Sequence, residues 1–231
     1  MPRDATRRTP RRQSLADSVY EELLARLFDE TYGADEPMNI DGLARELDVS
    51  QTPIREALAR LESTGLVVRT ALRGYRVAPM LSPKELGDLM DARHVIEPAL
   101  ARRAAARSDP AFVAELEATI SELEGAPRGP SFADYQQYWH ADERFHDLIA
   151  ERADNAFLLR AYRSLGGQAQ RFRMFSGFGV TDAESAVSEH REVLAAVADG
   201  DLARTEVAMA RHVVNVKSRA LHEVADAEPV G

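Results

Sequence analysis

The strongest constraint on the fold is a pair of short helical patterns with only three residues between them. Apolar residues recur at helical spacing from Ile40 to Leu47, and a second pattern runs from about Gln51 to Thr64. Asp48-Val49-Ser50 separates them, and Ser50 is a residue type preferred at helix N-caps. Two short helices joined by so tight a turn predict a helix-turn-helix unit.

The second helix of this pair has one apolar and one polar face. Ile54, Ala57, Leu58 and Leu61 fall on the apolar face. The opposite face, at the N-terminal end, offers the polar and cationic side chains Gln51, Thr52 and Arg55. Such groups at the start of a helix suit contacts with base edges and phosphates in a DNA major groove.

The flanking residues extend this unit to a winged helix-turn-helix over residues 14–79. A helical stripe begins at Ser14 and is expected to end near Gly33. After the helix pair, Leu66–Arg69 and Tyr75–Val77 read as two strands around a turn containing Gly74. This predicted wing carries three cations, Arg69, Arg73 and Arg76.

Charge and composition narrow the function classes further. The net charge is −9, and nearly all of this excess negative charge follows residue 79. Residues 1–13 instead form a predicted disordered basic arm, which could lie along DNA phosphates or simply be solvated; its cations are Arg3, Arg7, Arg8, Arg11 and Arg12. The chain has no cysteine, which excludes disulfides and thiolate metal sites. No apolar run is long enough to span a membrane, so we expect a cytoplasmic protein.

The second part of the chain, residues 80–226, reads as helices alone. Breaks fall at 109–110, 125–130, 152–155, 176–181 and at Gly200, which divide the segment into about six helices. No alternating strand pattern occurs there. The predicted fold class is therefore mainly α, with an N-terminal winged helix-turn-helix and a C-terminal all-α helical bundle.

Four polar residues of this bundle fall on apolar helix faces. Asp142 and His146 are four residues apart, so they share one face with large apolar side chains. His190 and His212 lie in apolar stripes of two other helices. Buried polar groups without partners cost about 1–3 kcal/mol each, a cost that convergence on a metal ion would remove. His94, His140 and His222 lack such a setting and are expected at the surface.

Two arginines are candidates for binding an anion. Arg93 falls in the apolar stripe of the first bundle helix, with Glu97 one turn later. A guanidinium facing the core needs an anion, either Glu97 in a structural pair or a ligand carboxylate. Arg171, beside Phe172, is a second candidate for the same role.

The helix-turn-helix residues resemble the signature of the GntR family of bacterial regulators. The resemblance rests on Ser50 to Leu58 (SQTPIREAL), Leu61-Glu62, Gly65-Leu66-Val67 and Arg73-Gly74. The family has Arg at the position of Gln51, and Arg or Glu near Asp41, so the operator read by this chain is expected to differ. By resemblance, the DNA-contacting positions are Arg45, Gln51, Thr52, Arg55, Arg73 and Gly74.

The bundle resembles the effector domain of the FadR subfamily, the FCD type. Asp142-x-x-x-His146, His190 and His212 resemble its metal ligands, and Arg93-x-x-x-Glu97 matches its first helix. The resemblance implies a homodimer that binds double-stranded operator DNA and is released from it when a small carboxylate, an organic acid or sugar acid, binds the metal and Arg93. Three His and one Asp suit zinc, while nickel, manganese and iron are compatible. Family habit favours a repressor over an activator.

The residues also allow two alternative functions. A metal-dependent enzyme could use the three-His and Asp site to activate water or oxygen, although no general base stands out at a recognisable spacing. A DNA-binding protein without a small-molecule effector is the other. It leaves the internal polar residues of the bundle unexplained.

Overall fold

The computed structural model describes residues 14–29, 31–71, 73–127, 132–175 and 183–227, with side chains for all of these except 132–135, 166–175 and 223–227. The described residues form nine helices and three strands: α1 Leu15–Phe28, β1 Pro37–Met38, α2 Ile40–Glu46, α3 Gln51–Ser63, β2 Val67–Thr70, β3 Gly74–Val77, α4 Pro83–Ala105, α5 Pro110–Gly125, α6 Phe132–Arg152, α7 Ala156–Phe175, α8 Ala183–Ala198 and α9 Leu202–Ala227. The basic arm over residues 1–13 lies outside the described residues.

The first six elements, α1 to β3, form the winged-helix unit. Helix α3 packs on both α1 and α2, and its buried residues are the apolar ones expected from the sequence. Ser50 occupies the N-cap position of α3 but makes no side-chain cap hydrogen bond. In α2, by contrast, the N-cap residue Asn39 does make cap hydrogen bonds: its side chain accepts from the backbone N–H groups of Asp41 and Gly42.

The sheet of this unit has one strand more than the sequence predicted. Strands β2 and β3 form the expected antiparallel hairpin, with Val67 opposite Val77 and Thr70 opposite Gly74. The short β1 pairs with the other edge of β3, so the strand order is β1-β3-β2. Strand β1 has only two residues, and one of them is a proline. So short a segment shows no alternation of apolar and polar residues, and the sequence therefore did not predict it.

Helix α1 is shorter than predicted. It ends at Phe28, not near Gly33, with Asp29 as its C-cap. The following residues instead turn into β1, with Asp35 in the left-handed region at φ 62° and Glu36 accepting a hydrogen bond from the Gly33 backbone. Pairing with β3 therefore takes these residues away from the helix.

The remaining six elements, α4 to α9, form the helical unit. Their number matches the prediction, and the mainly α fold class is confirmed. The long α4 begins with a capping box between Ser82 and Glu85 and packs against α6, α7, α8 and α9. Since α6, α8 and α9 all lie beside α4, side chains from these four helices can meet in one interior.

The two units touch through α1. This helix contacts α6 and α7, and Gln136 of α6 donates a 2.7 Å hydrogen bond to Glu21 of α1. Buried apolar side chains of both units belong to one continuous cluster. Within the described ranges, no helix is both long and apolar enough to cross a membrane.

Candidate metal centre and nucleic-acid interface

The N-terminal end of α3 presents polar side chains to the solvent. Gln51, Thr52 and Arg55 are exposed, as predicted, while Pro53 and Ile54 between them are buried. This alternation follows from the helical period, because Gln51 and Arg55, four residues apart, share a face. The fold thus exposes one row of polar side chains on the surface of α3.

A chain of hydrogen bonds joins the residues on this surface. Gln51 Nε2 donates to Asp41 Oδ1 at 2.5 Å, and Gln51 Oε1 accepts from Arg55 Nη2 at 2.9 Å. Arg45 Nε donates to the backbone carbonyl of Asp41 at 3.2 Å. The two positions at which the chain departs from the family pattern, 41 and 51, are therefore bonded to each other.

The wing supplies two exposed cations. Arg69 and Arg73 are exposed, and the Arg69 guanidinium lies 5.9 Å from the centre of the Tyr75 ring. Gly74 adopts φ +79°, a backbone conformation that suits glycine, and this closes the turn of the wing. Arg76, the third predicted cation of the wing, is paired with Asp35 at 2.9 Å, so its charge is partly neutralised.

Three histidines from three helices meet inside the helical unit. His146 of α6, His190 of α8 and His212 of α9 are 3%, 0% and 2% exposed. One ring nitrogen from each lies within 4.8 Å of the other two, and Nε2 of His146 is 3.3 Å from Nε2 of His212. The predicted convergence of these histidines is therefore present in the fold.

Two carboxylates lie beside the Nδ1 atoms of two histidines of this cluster. His146 Nδ1 lies 2.9 Å from Glu97 Oε2, and His212 Nδ1 lies 2.8 Å from Glu189 Oε2. A carboxylate accepts the Nδ1 proton and leaves Nε2 with a lone pair. The two Nε2 atoms that face each other at 3.3 Å are then both acceptors.

The electrostatics keep these carboxylates ionised. Burial acts to raise the pKa of Glu97, but Arg93 and His146 hold it well below its usual range. Burial likewise opposes ionisation of Glu189, yet hydrogen bonds from His212, Arg219 and Asn215 lower its pKa to about 2. Burial lowers the pKa of His212 and the hydrogen bond to Glu189 offsets this only in part, which favours the neutral form of this imidazole.

This donor set fits a divalent metal ion such as zinc. Neutral imidazoles with free Nε2 lone pairs are the form that binds metals, and their Nδ1 partners here are carboxylates. Two nitrogen ligands about 2.0–2.1 Å from a tetrahedral zinc are separated by about 3.3 Å. The Nε2 atoms of His146 and His212 already have that separation.

Asp142 lies at the edge of the histidine cluster. Its Oδ1 is 3.7 Å from His190 Nε2, its side chain is 20% exposed, and it falls outside the set of mutually close ligand atoms. His190 itself stacks on Phe145, with ring centres 4.2 Å apart. The structure thus brings three of the four predicted ligands together and leaves the carboxylate beside them.

The predicted effector cations have different positions. Arg93 donates from Nε to Glu97 Oε1 at 2.5 Å and its side chain is 12% exposed, so the structural pair considered from the sequence is the one observed. Arg171 belongs to α7, but its side chain lies outside the described ones. His94, His140 and His222 are exposed, as expected.

Sequence reasoning missed three residues of this site: Glu189, Asn215 and Arg219. Arg219 donates to both oxygens of Glu189, at 2.8 and 3.1 Å, and Asn215 donates at 2.9 Å. A signal was present, because His212, Asn215 and Arg219 are spaced three and then four residues apart on one helix face. Glu189 directly precedes a predicted ligand, His190.

Comparison with known families agrees with this architecture. The profile described as "Bacterial regulatory proteins, gntR family" matches residues 15–77, and the profile of the FCD domain matches residues 88–215. The first match covers the winged-helix unit and the second covers the three histidines.

Similar proteins span nearly the same length. One is the "Probable D-xylose utilization operon transcriptional repressor" of Paenarthrobacter nicotinovorans, 27% identical over 91% of this chain and 90% of that protein. Another is the "HTH-type transcriptional repressor GlaR" of Escherichia coli (strain K12), 30% identical over 78% of this chain and 84% of that protein.

Solved structures share the fold. The E. coli McbR/YncC structure superposes with a TM-score of 0.72 at 19% identity, covering 91% of this chain and 99% of that one. A putative transcriptional regulator GntR from Rhodococcus sp. RHA1 gives a TM-score of 0.62 at 20% identity, covering 93% and 99%. The winged-helix unit, the helical unit and these matches together show that the chain belongs to the GntR family of bacterial regulatory proteins, with an FCD domain, and is a transcriptional regulator rather than an enzyme.

Proposed function

We propose that the protein is a cytoplasmic repressor that binds operator DNA as a homodimer and releases it when a small carboxylate binds a metal site in the helical unit. The metal ligands are His146, His190 and His212, with Asp142 as the fourth. The relatives named above as repressors support the direction of regulation. The observation that carries the proposal is the approach of two acceptor nitrogens, at 3.3 Å, in a buried cluster of three histidines.

The DNA contacts follow from the exposed row on α3 and from the wing. Helix α3 enters the major groove with Gln51, Thr52 and Arg55 toward the bases, and Arg45, Arg73 and Gly74 lie at the backbone. Arginine pairs best with guanine and glutamine with adenine, so Arg55 and Gln51 read different bases. Because Asp41 holds the Gln51 amide nitrogen, Gln51 Oε1 is oriented toward Arg55.

The effector belongs to the small organic acids or sugar acids. A zinc ion held by the three histidines and Asp142 would take a carboxylate oxygen of the effector as a fifth ligand. Nickel, manganese and iron suit the same donors. Arg93 supports this site through Glu97, to which it donates, and Arg171 stays a prediction for direct contact with the effector.

Helix α6 is the proposed route from the effector to the DNA. It carries Asp142 and His146 at the site and, about two turns earlier, Gln136, which donates to Glu21 of α1. Helix α1 packs on α3, and Arg60 of α3 pairs with Asp17 of α1 at 2.7 Å. A shift of α6 is thus passed to the recognition helix through packed elements. Coupling of this kind is about 1–3 kcal/mol, or about 5- to 150-fold in operator affinity.

The metal is tested by mass spectrometry on protein purified without a nickel column. We expect about one metal ion per chain, retained in His94→Ala and His222→Ala and lost in His190→Ala and His212→Ala. The first pair are exposed histidines and serve as matched controls. Native protein that holds no metal, even after incubation with zinc, contradicts the proposed site.

The regulatory part is tested on duplexes selected from a random library. We expect the selected sites to be pseudo-palindromic, with half-sites about one helical turn apart. Addition of a panel of organic and sugar acids to metal-loaded protein then identifies acids that release the DNA. Gln136→Ala is expected to keep metal and DNA binding while its response to the acid weakens. If no acid in the panel alters DNA binding, the effector part of the proposal fails.

A further inference from the structure

Two similar rows of side chains reach the histidine cluster, one from α4 and the other from α8 and α9. In one, Arg93 donates to one oxygen of Glu97 at 2.5 Å while the other oxygen lies 2.9 Å from His146 Nδ1. In the other, Arg219 donates to Glu189, and Glu189 Oε2 lies 2.8 Å from His212 Nδ1. Each row thus runs from a guanidinium through a carboxylate to an imidazole.

Burial explains why each carboxylate needs its arginine. The side chains of Glu97 and Glu189 are 3% and 12% exposed. An ionised carboxylate in such a place is costly unless it is paired and hydrogen-bonded. Arg93 contacts one oxygen of Glu97 and leaves the other to His146. Arg219 contacts both oxygens of Glu189, and one of them also lies 2.8 Å from His212 Nδ1.

The consequence for the histidines is a fixed ring orientation. An imidazole that donates its Nδ1 proton to a held carboxylate cannot rotate or change tautomer without losing that bond. His190 is held differently, by its stack on Phe145. The two rings held by carboxylates are the same two whose Nε2 atoms approach to 3.3 Å.

We propose that Glu97 and Glu189 are positioning residues of the histidine site, each directing the Nε2 lone pair of one imidazole to a shared metal position while Arg93 and Arg219 hold the carboxylates. This inference rests on the proposed metal site and names the groups that set its affinity and geometry. Partners of this kind change metal affinity by about 10- to 100-fold in known sites.

The test compares Glu189→Gln with Glu192→Gln. Both residues are on α8, but Glu192 is half-exposed and pairs with Arg211 at the surface. We expect Glu189→Gln to weaken zinc binding, measured by competition with a chelating dye, by about 10- to 100-fold. We also expect the visible absorption bands of the cobalt-loaded protein to shift, because the ligand geometry changes. Glu192→Gln is expected to match the wild type in both measurements.

A merely structural role for Glu189 gives a different pattern. The metal-free variant would melt at a lower temperature, while its cobalt spectrum and zinc affinity stayed those of the wild type. That result in folded Glu189→Gln overturns the inference. If this variant does not fold, Arg219→Lys takes its place, since it keeps the carboxylate and the charge but loses the two-pronged guanidinium contact. An unchanged spectrum and zinc affinity there also overturn it.

Failure of the metal site itself is distinguishable from failure of the positioning role. Wild-type protein that binds neither zinc nor cobalt refutes the proposed function and the inference together. Wild-type protein that binds both, with variants that bind them identically, refutes the positioning role alone.

Discussion

The two candidate functional sites of this molecule differ in their exposure to solvent. On the winged-helix unit, Gln51, Thr52 and Arg55 are exposed. Water can therefore bind those of their hydrogen-bonding groups that have no partner in the protein. In the helical unit, His146, His190 and His212 are at most 3% exposed. Polar atoms there can be satisfied only by other groups of the fold or by a bound ion, because an unsatisfied buried group costs about 1–3 kcal/mol.

This difference teaches how each site is able to vary. An exposed side chain of the recognition helix contributes little to folding, so it can be exchanged for another without loss of structure. The buried site consists of residues that compensate one another, so a change at one position leaves another without its partner. Operator preference is therefore adjustable residue by residue, whereas the histidine site is a single interdependent unit.

Among the variants that test this difference, Glu97→Ala is expected to show the largest effect, a loss of stability. This change leaves the guanidinium of Arg93, 12% exposed, without its carboxylate. We expect the free energy of unfolding of chelator-treated protein, measured with urea, to fall by about 3–5 kcal/mol. The control Glu206→Ala removes a half-exposed partner of Arg102 and should cost at most about 1 kcal/mol. A loss in Glu97→Ala no greater than in the control contradicts an interdependent site.

The opposite behaviour is expected of Arg55→Ala in the winged-helix unit. Its unfolding free energy should stay within about 0.5 kcal/mol of the wild type, because the side chain is exposed. Operator affinity should fall by about 1–3 kcal/mol, with relaxed preference at one base pair. Arg204→Ala, an exposed cation on α9, is the control for general loss of charge. An equal loss of affinity on all DNA sequences would assign Arg55 to the phosphates.

A smaller effect separates backbone conformation from side-chain contact in the wing. Gly74 has φ +79°, and an added Cβ would meet nothing within 4 Å. Gly74→Ala should therefore destabilise the protein by about 1–2 kcal/mol through backbone strain alone. Gly87→Ala, in α4 and with similar open space, should instead stabilise it by up to about 1 kcal/mol. Thermal melting of the two variants checks the opposite signs.

The smallest effect is expected from Asp41→Asn, which tests how the charge beside Gln51 influences operator affinity. The amide oxygen can still accept from Gln51, so the hydrogen-bonded chain survives. Loss of a negative charge facing DNA phosphates should raise operator affinity by about two- to five-fold at low salt, and the gain should vanish at high salt. A gain that is independent of salt would point to a change in the orientation of Gln51 instead.

The sequence by itself determined the helices and their inward faces. The period of the apolar residues predicted the helix pair of the winged-helix unit, the six helices after residue 80, and the burial of His146, His190 and His212. Spacing along one helix needs no knowledge of other helices, because 3.6 residues per turn fixes which side chains share a face. The exposed row on α3 was predictable for the same reason.

Only the tertiary structure decided which groups meet across helices. The pairing of Glu97 with His146 and of Glu189 with His212 depends on how α4 and α6, and α8 and α9, slide and rotate against each other. The same holds for Asp142 at the edge of the cluster and for the pairing of β1 with β3. A shift of one ångström makes or breaks a hydrogen bond, and helical periodicity carries no information at that scale about a neighbouring helix.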